Sequence, residues 1–228
     1  MANPNKKRRS QKVTRRKFLK QNALALAGIP MLKTTALHIA AEKSGLKDAY
    51  KNDFKIGTAI GTGTLLSNDN EMLDLIAREF NAVTAENAMK WGNIHPTEDK
   101  WNFKAADRLV EIGRENDMHI QGHVLIWHSQ VAKNLFSDKN GKPVTSSALT
   151  KKMEEHIAKL VGRYKGKIHG WDVVNEAITP EEGFRKSQWF EILGPRFIEK
   201  AFHYAHEADP AAHLIYNDYA MVGHDFGS

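Results

Sequence analysis

The sequence predicts an α/β chain, a (β/α)8 TIM barrel of which about five βα units are present, and three observations predict it. Short β-like runs alternate with longer helical patterns about five times after residue 50. Their spacings suit parallel strands joined by crossover helices. Polar residues gather at the C-terminal ends of the proposed strands, the rim where barrel enzymes assemble their catalytic groups.

Each element has its own signal. FKIGTAIG (54–61) reads as the first strand, and EMLDLIAREF (71–80) as a helix with Met72, Leu75, Ile76 and Phe80 on one face. NAVTAEN (81–87) is a short second strand running into a loop. AADRLVEIGREND (105–117) is helical, and HIQGHVLIWH (119–128) is a buried strand. Residues 147–164 form a long amphipathic helix, and KIHGWDVVNEA (167–177) is again a strand. Residues 187–209 read as one helix, and AHLIYNDY (212–219) closes the series as a fifth strand.

An open doubly wound sheet fits the same alternation, but a nucleotide fold of that kind carries a Gly-rich turn after its first strand. IGTGTLL (60–66) has Gly61 and Gly63 without a third Gly or a following Lys-Ser/Thr. The rim positions of Glu86-Asn87, His123, Trp127-His128, Asn175-Glu176 and Asn217-Asp218 favour the barrel.

Charge divides the chain into two regions. Residues 1–41 hold ten Lys/Arg and no acid, whereas residues 42–228 carry a net charge of −4. The body is mildly acidic, which argues against nucleic acid as a partner. The basic stretch KKRRSQKVTRRKFLK precedes ALALAGIPML, an apolar run too short to span a bilayer and suited to an export signal. Thr14-Arg15-Arg16-Lys17-Phe18-Leu19-Lys20 is similar to a twin-arginine signal. The expectation is transient contact with the twin-arginine machinery, a periplasmic or extracellular bacterial destination, and no stable membrane insertion. Cleavage falls near residue 41, with an uncleaved anchor as the alternative. With no Cys in the chain, disulfides and thiolate metal sites are excluded.

The chemistry gathers on three stretches. In WDVVNEA (171–177), Asn175 beside Glu176 suits a glycosidase: the amide bonds a sugar hydroxyl while the carboxyl donates to the glycosidic oxygen. A solvated Glu opening a loop is the alternative. GHVLIWHSQ (122–130) offers His123, Trp127, His128 and Gln130. Trp127 suits a sugar platform, against the alternative of a core Trp. His119 and His123 have H-x-x-x-H spacing, which brings two imidazoles together on a helix, and this stretch reads as a strand, so no metal is expected. AENAMKW (85–91) contributes Glu86, Asn87 and Lys90, a mix of acceptors and donors that hydroxyl-rich ligands require.

Four motifs, FNAVTAENAMKW (80–91), GHVLIWHSQ, WDVVNEA and IYNDY (215–219), occur in order over residues 54–219. In them the chain resembles family 10 glycoside hydrolases, typically endo-β-1,4-xylanases. The resemblance implies an eight-stranded barrel and retaining hydrolysis of xylan or xylooligosaccharides without a cofactor. It makes Glu176 the general acid/base and Asn175 the ligand of the sugar 2-hydroxyl. It places Glu86, Asn87, Lys90, His123, Trp127 and Gln130 in the glycone subsites and Tyr219 near the aglycone side. Ala220 departs from the family, which often has Asn there. Xylan against another β-1,4-glycan rests on the resemblance alone.

Retaining hydrolysis needs a second carboxylate about 5–5.5 Å from the first. The resemblance places that nucleophile on the seventh strand, in a threonine-glutamate-aspartate-like motif that is absent here. Glu181 and Glu182 follow Glu176 too closely to serve. The expectation is that residues 42–228 form the N-terminal part of the barrel domain, after a signal over 1–41, and turn over little substrate alone. A non-catalytic carbohydrate-binding half-barrel is the alternative.

Overall fold

The structure, a computed structural model, describes residues 44–67, 69–180 and 183–219. The segment 1–41 read as an export signal, Glu181, Glu182 and Ala220 lie outside the described residues. In chain order the elements are α1 (Leu46–Ala49), β1 (Gly57–Ile60), α2 (Thr62–Leu66), α3 (Asn70–Glu79), β2 (Ala82–Ala85), α4 (Trp91–Ile94), α5 (Lys104–Glu115), β3 (His119–Trp127) and α6 (Ser146–Arg163). There follow β4 (Gly170–Asn175), β5 (Ile178–Thr179), β6 (Gly183–Phe184), α7 (Gln188–Leu193), α8 (Phe197–Ala208) and β7 (His213–Asn217).

Five strands form one parallel sheet in the order β1-β2-β3-β4-β7, with helices in the crossovers. This is the expected succession of βα units, and strand order follows chain order as it does around a barrel wall. Within the described residues β1 and β7 are the sheet's edges. No helix among the described residues is long and apolar enough to cross a membrane.

The helices follow from spacing and caps. Ala105, Ala106, Leu109, Val110, Ile112 and Gly113 make one buried face of α5. Leu149, Met153, Ile157 and Leu160 do the same for α6, whose Thr145 side chain accepts from Ala148 N–H at 3.2 Å as the N-cap. Strand β3 alternates: Ile120 packs on Gly113 of α5, while His119, Gln121 and His123 are half-buried on the other face. β4 is buried along its whole length. Each fully buried Leu or Ile contributes about 1.5–3 kcal/mol relative to exposure.

One expectation needs correction, and one element went unread. The helix expected over 187–209 is two helices, α7 and α8. Gly194 closes α7 with φ +65°, a conformation disfavoured for residues with a Cβ, and Pro195 cannot continue the ladder. The stretch after Ala177 holds a two-stranded antiparallel pair, β5 with β6, that the sequence reading did not identify. IGTGTLL runs from β1 through Gly61 into the short helix α2.

Candidate active site

Glu176 follows the last residue of β4 and has φ +55°, the left-handed region that a residue with a Cβ enters rarely. Hydrogen bonds on both sides hold it there. Its N–H donates to Asn217 O at 2.9 Å, and its carbonyl accepts from Arg185 Nε at 2.7 Å. Such strain persists only where the surroundings impose it, which is a mark of functional positions. The side chain is a quarter exposed. Trp127 Nε1 donates to Glu176 Oε2 at 2.9 Å, and His128 Nε2 stands 4.0 Å from the same oxygen. Among the described residues Glu176 Oε1 makes no hydrogen bond.

Asn175 ends β4 and is 4% exposed. Asn217, its register partner on β7, donates from Nδ2 to Asn175 Oδ1 at 2.7 Å. With its oxygen engaged, Asn175 offers its NH2 group as a donor.

Lys90 is the N-cap of α4 and is 9% exposed. Its ammonium donates to Asn87 Oδ1 at 3.0 Å and stands 4.7 Å from the centroid of the Trp127 ring. Burial lowers its pKa from the ordinary lysine value, although the carboxylates of Glu86 and Glu176 pull the other way. Lys90, Trp127 and Glu176 therefore form one contiguous group. Glu86 is exposed at the end of β2, and its Oε2 lies beside Gly61 of the first strand-to-helix turn. Gln130 also has positive φ, +47°. Its carbonyl accepts from Gly92 N–H at 2.6 Å and its Oε1 from Asn93 Nδ2 at 3.5 Å, so it supports the turn carrying Asn87 and Lys90.

His123 lies deeper in the sheet, with Nδ1 2.8 Å from Asp172 Oδ2. Gln121 Nε2 donates to the other oxygen, Asp172 Oδ1, at 2.8 Å. Sequence reasoning gave Asp172 no role. A carboxylate inside a buried strand is costly unless paired, and that expense was the signal that could have found it. His119 points elsewhere, with its ring 4.7 Å from that of His169. Among the described residues, no group of three His, Asp or Glu is arranged to hold a metal.

Tyr219 is half-exposed, and its hydroxyl accepts from Arg185 Nη2 at 3.0 Å. Arg185, overlooked in the sequence, thus joins Tyr219 to the backbone of Glu176. Tyr216 hydroxyl donates to Asp218 Oδ2 and accepts from Ala177 N–H at 3.1 Å. Burial and the bond to Asp218 push the Tyr216 phenol upward. Burial and the Arg185 guanidinium hold His128 below the usual imidazole range, against the pull of Glu176 and Asp218. His128 is therefore a neutral neighbour of Glu176 near pH 7.

Comparison with known proteins meets this geometry directly. The model of glycosyl hydrolase family 10 matches residues 45–225. The endo-1,4-beta-xylanase A of Xylanibacter ruminicola is 44% identical over 194 residues, covering 85% of this chain and 52% of that protein. The endo-1,4-beta-xylanase A of Thermotoga maritima is 39% identical over 203 residues, which are 84% of this chain and 19% of that one. A GH10 endoxylanase retrieved from sugarcane soil metagenome superposes with TM-score 0.75 at 54% identity, covering 77% of this chain and 51% of that one. Xylanase 10B from Thermotoga petrophila, solved in complex with xylobiose, gives TM-score 0.73 at 38% identity over 80% and 55% of the two chains. The chain spans about half, or less, of the length of these relatives.

Proposed function

This chain belongs to glycosyl hydrolase family 10, and we propose that it supplies the acid/base and sugar-holding half of a retaining endo-β-1,4-xylanase site. The observation that carries the proposal is the engagement of one Glu176 oxygen by Trp127 while the other makes no hydrogen bond among the described residues. In the first step a nucleophilic carboxylate attacks the anomeric carbon, the glycosidic C–O bond breaks, and Glu176 gives its proton to the departing oxygen. In the second step Glu176 takes a proton from water as that water displaces the carboxylate from the sugar. Trp127 stabilises the ionised form of Glu176 between the steps. Asn175 donates to the sugar 2-hydroxyl, while Lys90, Asn87, Glu86, His123 and Gln130 form the glycone side and Tyr219 the aglycone side. The nucleophile belongs to a later strand of the barrel in this reading.

The test joins residues 42–228 to the remaining strands of a family relative and measures sugar release from xylan. Glu176→Ala should abolish release from xylan, spare an aryl xylobioside with a good leaving group in the first step, and yield a β-xylosyl azide when azide is added. Full xylan turnover by Glu176→Ala would sink the assignment. Titration of xylotriose into the unextended chain, followed by the Trp127 indole N–H signal, reads the sugar-holding half separately.

Residues 1–41 serve, in the same proposal, as a twin-arginine export signal that directs the protein to the periplasm or beyond. Its support is the order of paired Arg15-Arg16, Phe18-Leu19 and apolar run. A folded reporter carrying this segment should leave the cytoplasm, and Arg15→Lys with Arg16→Lys should retain it there. Unchanged export by the double variant would refute the assignment.

A further inference from the structure

His95 and His156 meet away from the catalytic rim, where the end of α4 packs on the middle of α6. Their Nδ1 atoms are 3.1 Å apart. His156 is fully buried, its ring stacked on Trp91 with centroids 3.7 Å apart. His95 stacks on Trp101 at 3.9 Å.

The hydrogen bonds fix where the protons are. His95 Nε2 lies 3.1 Å from Glu98 carbonyl O, which can only accept, so Nε2 carries the proton. A neutral His95 then presents a bare Nδ1, and His156 donates to it from its own Nδ1–H. His156 Nε2 is left as a bare lone pair, and among the described residues that buried atom has no hydrogen-bond partner. The pair is complete with one proton on each ring.

A further proton has two places to go, and both are poor. On His95 Nδ1 it would face the Nδ1–H of His156, donor against donor. On His156 Nε2 it would make a buried N–H with no acceptor among the described residues. The charged groups around the pair do not remedy this. Glu98 and Asp99 stand on the loop of His95, Lys152, Glu155 and Lys159 on α6, and Lys133 on the loop after β3, several of them lining an adjacent cavity of about 290 Å³. Lys159 sits 4.6 Å from the Trp101 ring centroid and repels an imidazolium, while Glu98 and Glu155 attract one. Burial outweighs these neighbours and holds both rings below the usual imidazole range.

What the pair holds is the turn behind the glycone side. Trp91 directly follows Lys90, and Asn93 Nδ2 donates to Asn87 O at 2.8 Å. We propose that His95 and His156 are a positioning latch that fastens the Trp91 turn, and with it Asn87 and Lys90, to α6 at neutral pH and releases it in acid. The latch is independent of what the site hydrolyses. Its sign follows from linkage: rings held neutral in the folded state contribute fully above the unfolded histidine value of about 6.5, and the contribution is lost as pH falls below it.

The test uses the 228-residue chain. Nitrogen shifts of the two imidazoles at pH 8 should report Nδ1–H for His156 and Nε2–H for His95. Hydrogen exchange at Gly92, Ile94 and His95 amides, corrected for intrinsic rates and divided by that of Leu125 in β3, should accelerate by up to about a hundredfold for each pH unit below 6.5, the response of two linked protons. His156→Phe keeps a flat ring on Trp91 without a titrating group, and His95→Gln keeps an acceptor for His156. Each removes one of the two titrating rings and should cut the pH response to about tenfold per unit, and the second stands if the first fails to fold. A flat response in the wild type, the same slope in the folded variants, or a His156 protonated at Nε2 would overturn the latch.

Discussion

Trp127 Nε1 donates a 2.9 Å hydrogen bond to Glu176 Oε2, joining the end of β3 to the residue after β4. The indole proton lies where a negative charge forms each time Glu176 gives up its proton. Trp127→Phe keeps the ring beside Lys90 and removes only this donor. A hydrogen bond to a charged group contributes about 1.5–3 kcal/mol, so the variant is expected to lose about ten- to a hundredfold in kcat/KM on xylooligosaccharides. The loss should shrink on an aryl xylobioside whose leaving group needs no proton. Steady-state kinetics of the completed barrel on both substrates checks this, and equal losses on the two would point to ring packing instead.

Asn217 orients Asn175 by engaging its oxygen at 2.7 Å. Asn217→Ala frees the Asn175 amide to rotate and present the wrong atom to a sugar hydroxyl. One neutral hydrogen bond, about 0.5–1.5 kcal/mol, sets the expected weakening at about three- to tenfold in xylotriose affinity. Calorimetry with xylotriose and with its 2-deoxy analogue separates the causes. The analogue lacks the hydroxyl that Asn175 addresses, so wild type and variant should bind it alike.

The strands were legible because their apolar runs and rim residues lie close together in sequence, and the four motifs marked Glu176, Asn175 and Lys90. What was not legible is pairing at a distance. Asp172 sits in an apolar strand and gains its meaning from Gln121 and His123, which reach it only once β3 and β4 are side by side. The same holds for His95 with His156, which a helix and a strand separate in sequence. Gly194-Pro195 did announce the break between α7 and α8, but the apolar period on either side masked it. The β5–β6 hairpin has two residues per strand, too few to show an alternation.

Asp107 on α5 anchors the C-terminal end of α6. Its Oδ1 accepts from Arg163 Nε and Tyr164 hydroxyl, both at 2.9 Å, and its Oδ2 from Arg163 Nη2 at 2.7 Å. Burial works to raise the carboxyl's pKa, but the bonds from Arg163 and Tyr164 outweigh it and hold the group below its usual value. A depressed carboxylate adds stability above its unfolded value of about 3.9, and the gain is lost as pH falls through the folded value. Both partners are 43% exposed, so solvent screening limits the pair to about 1 kcal/mol. Asp107→Asn is expected to reduce unfolding free energy in urea by about that much at pH 7. The difference from wild type should narrow as the pH drops below about 4, and a gap that widens in acid would contradict the sign.

Gly122 of β3 lies opposite Trp171 of β4, and the closeness of the two leaves no room for a side chain. A Cβ at Gly122 would fall 2.2 Å from Trp171 Cε3 and 2.4 Å from Cζ3. The indole is fully buried and cannot swing out. Gly122→Ala must therefore push β3 from β4 or tilt Trp171, which immediately precedes Asp172. Overpacking of this kind costs about 1–3 kcal/mol, measurable by urea unfolding. The control is Gly162→Ala in α6, where a Cβ meets nothing within 4 Å among the described residues and the helix gains about 0.5–1 kcal/mol. Because displacement of Asp172 carries along the strand to Asn175 and Glu176, Gly122→Ala should also broaden the Trp127 indole N–H signal, whereas Gly162→Ala should leave it sharp.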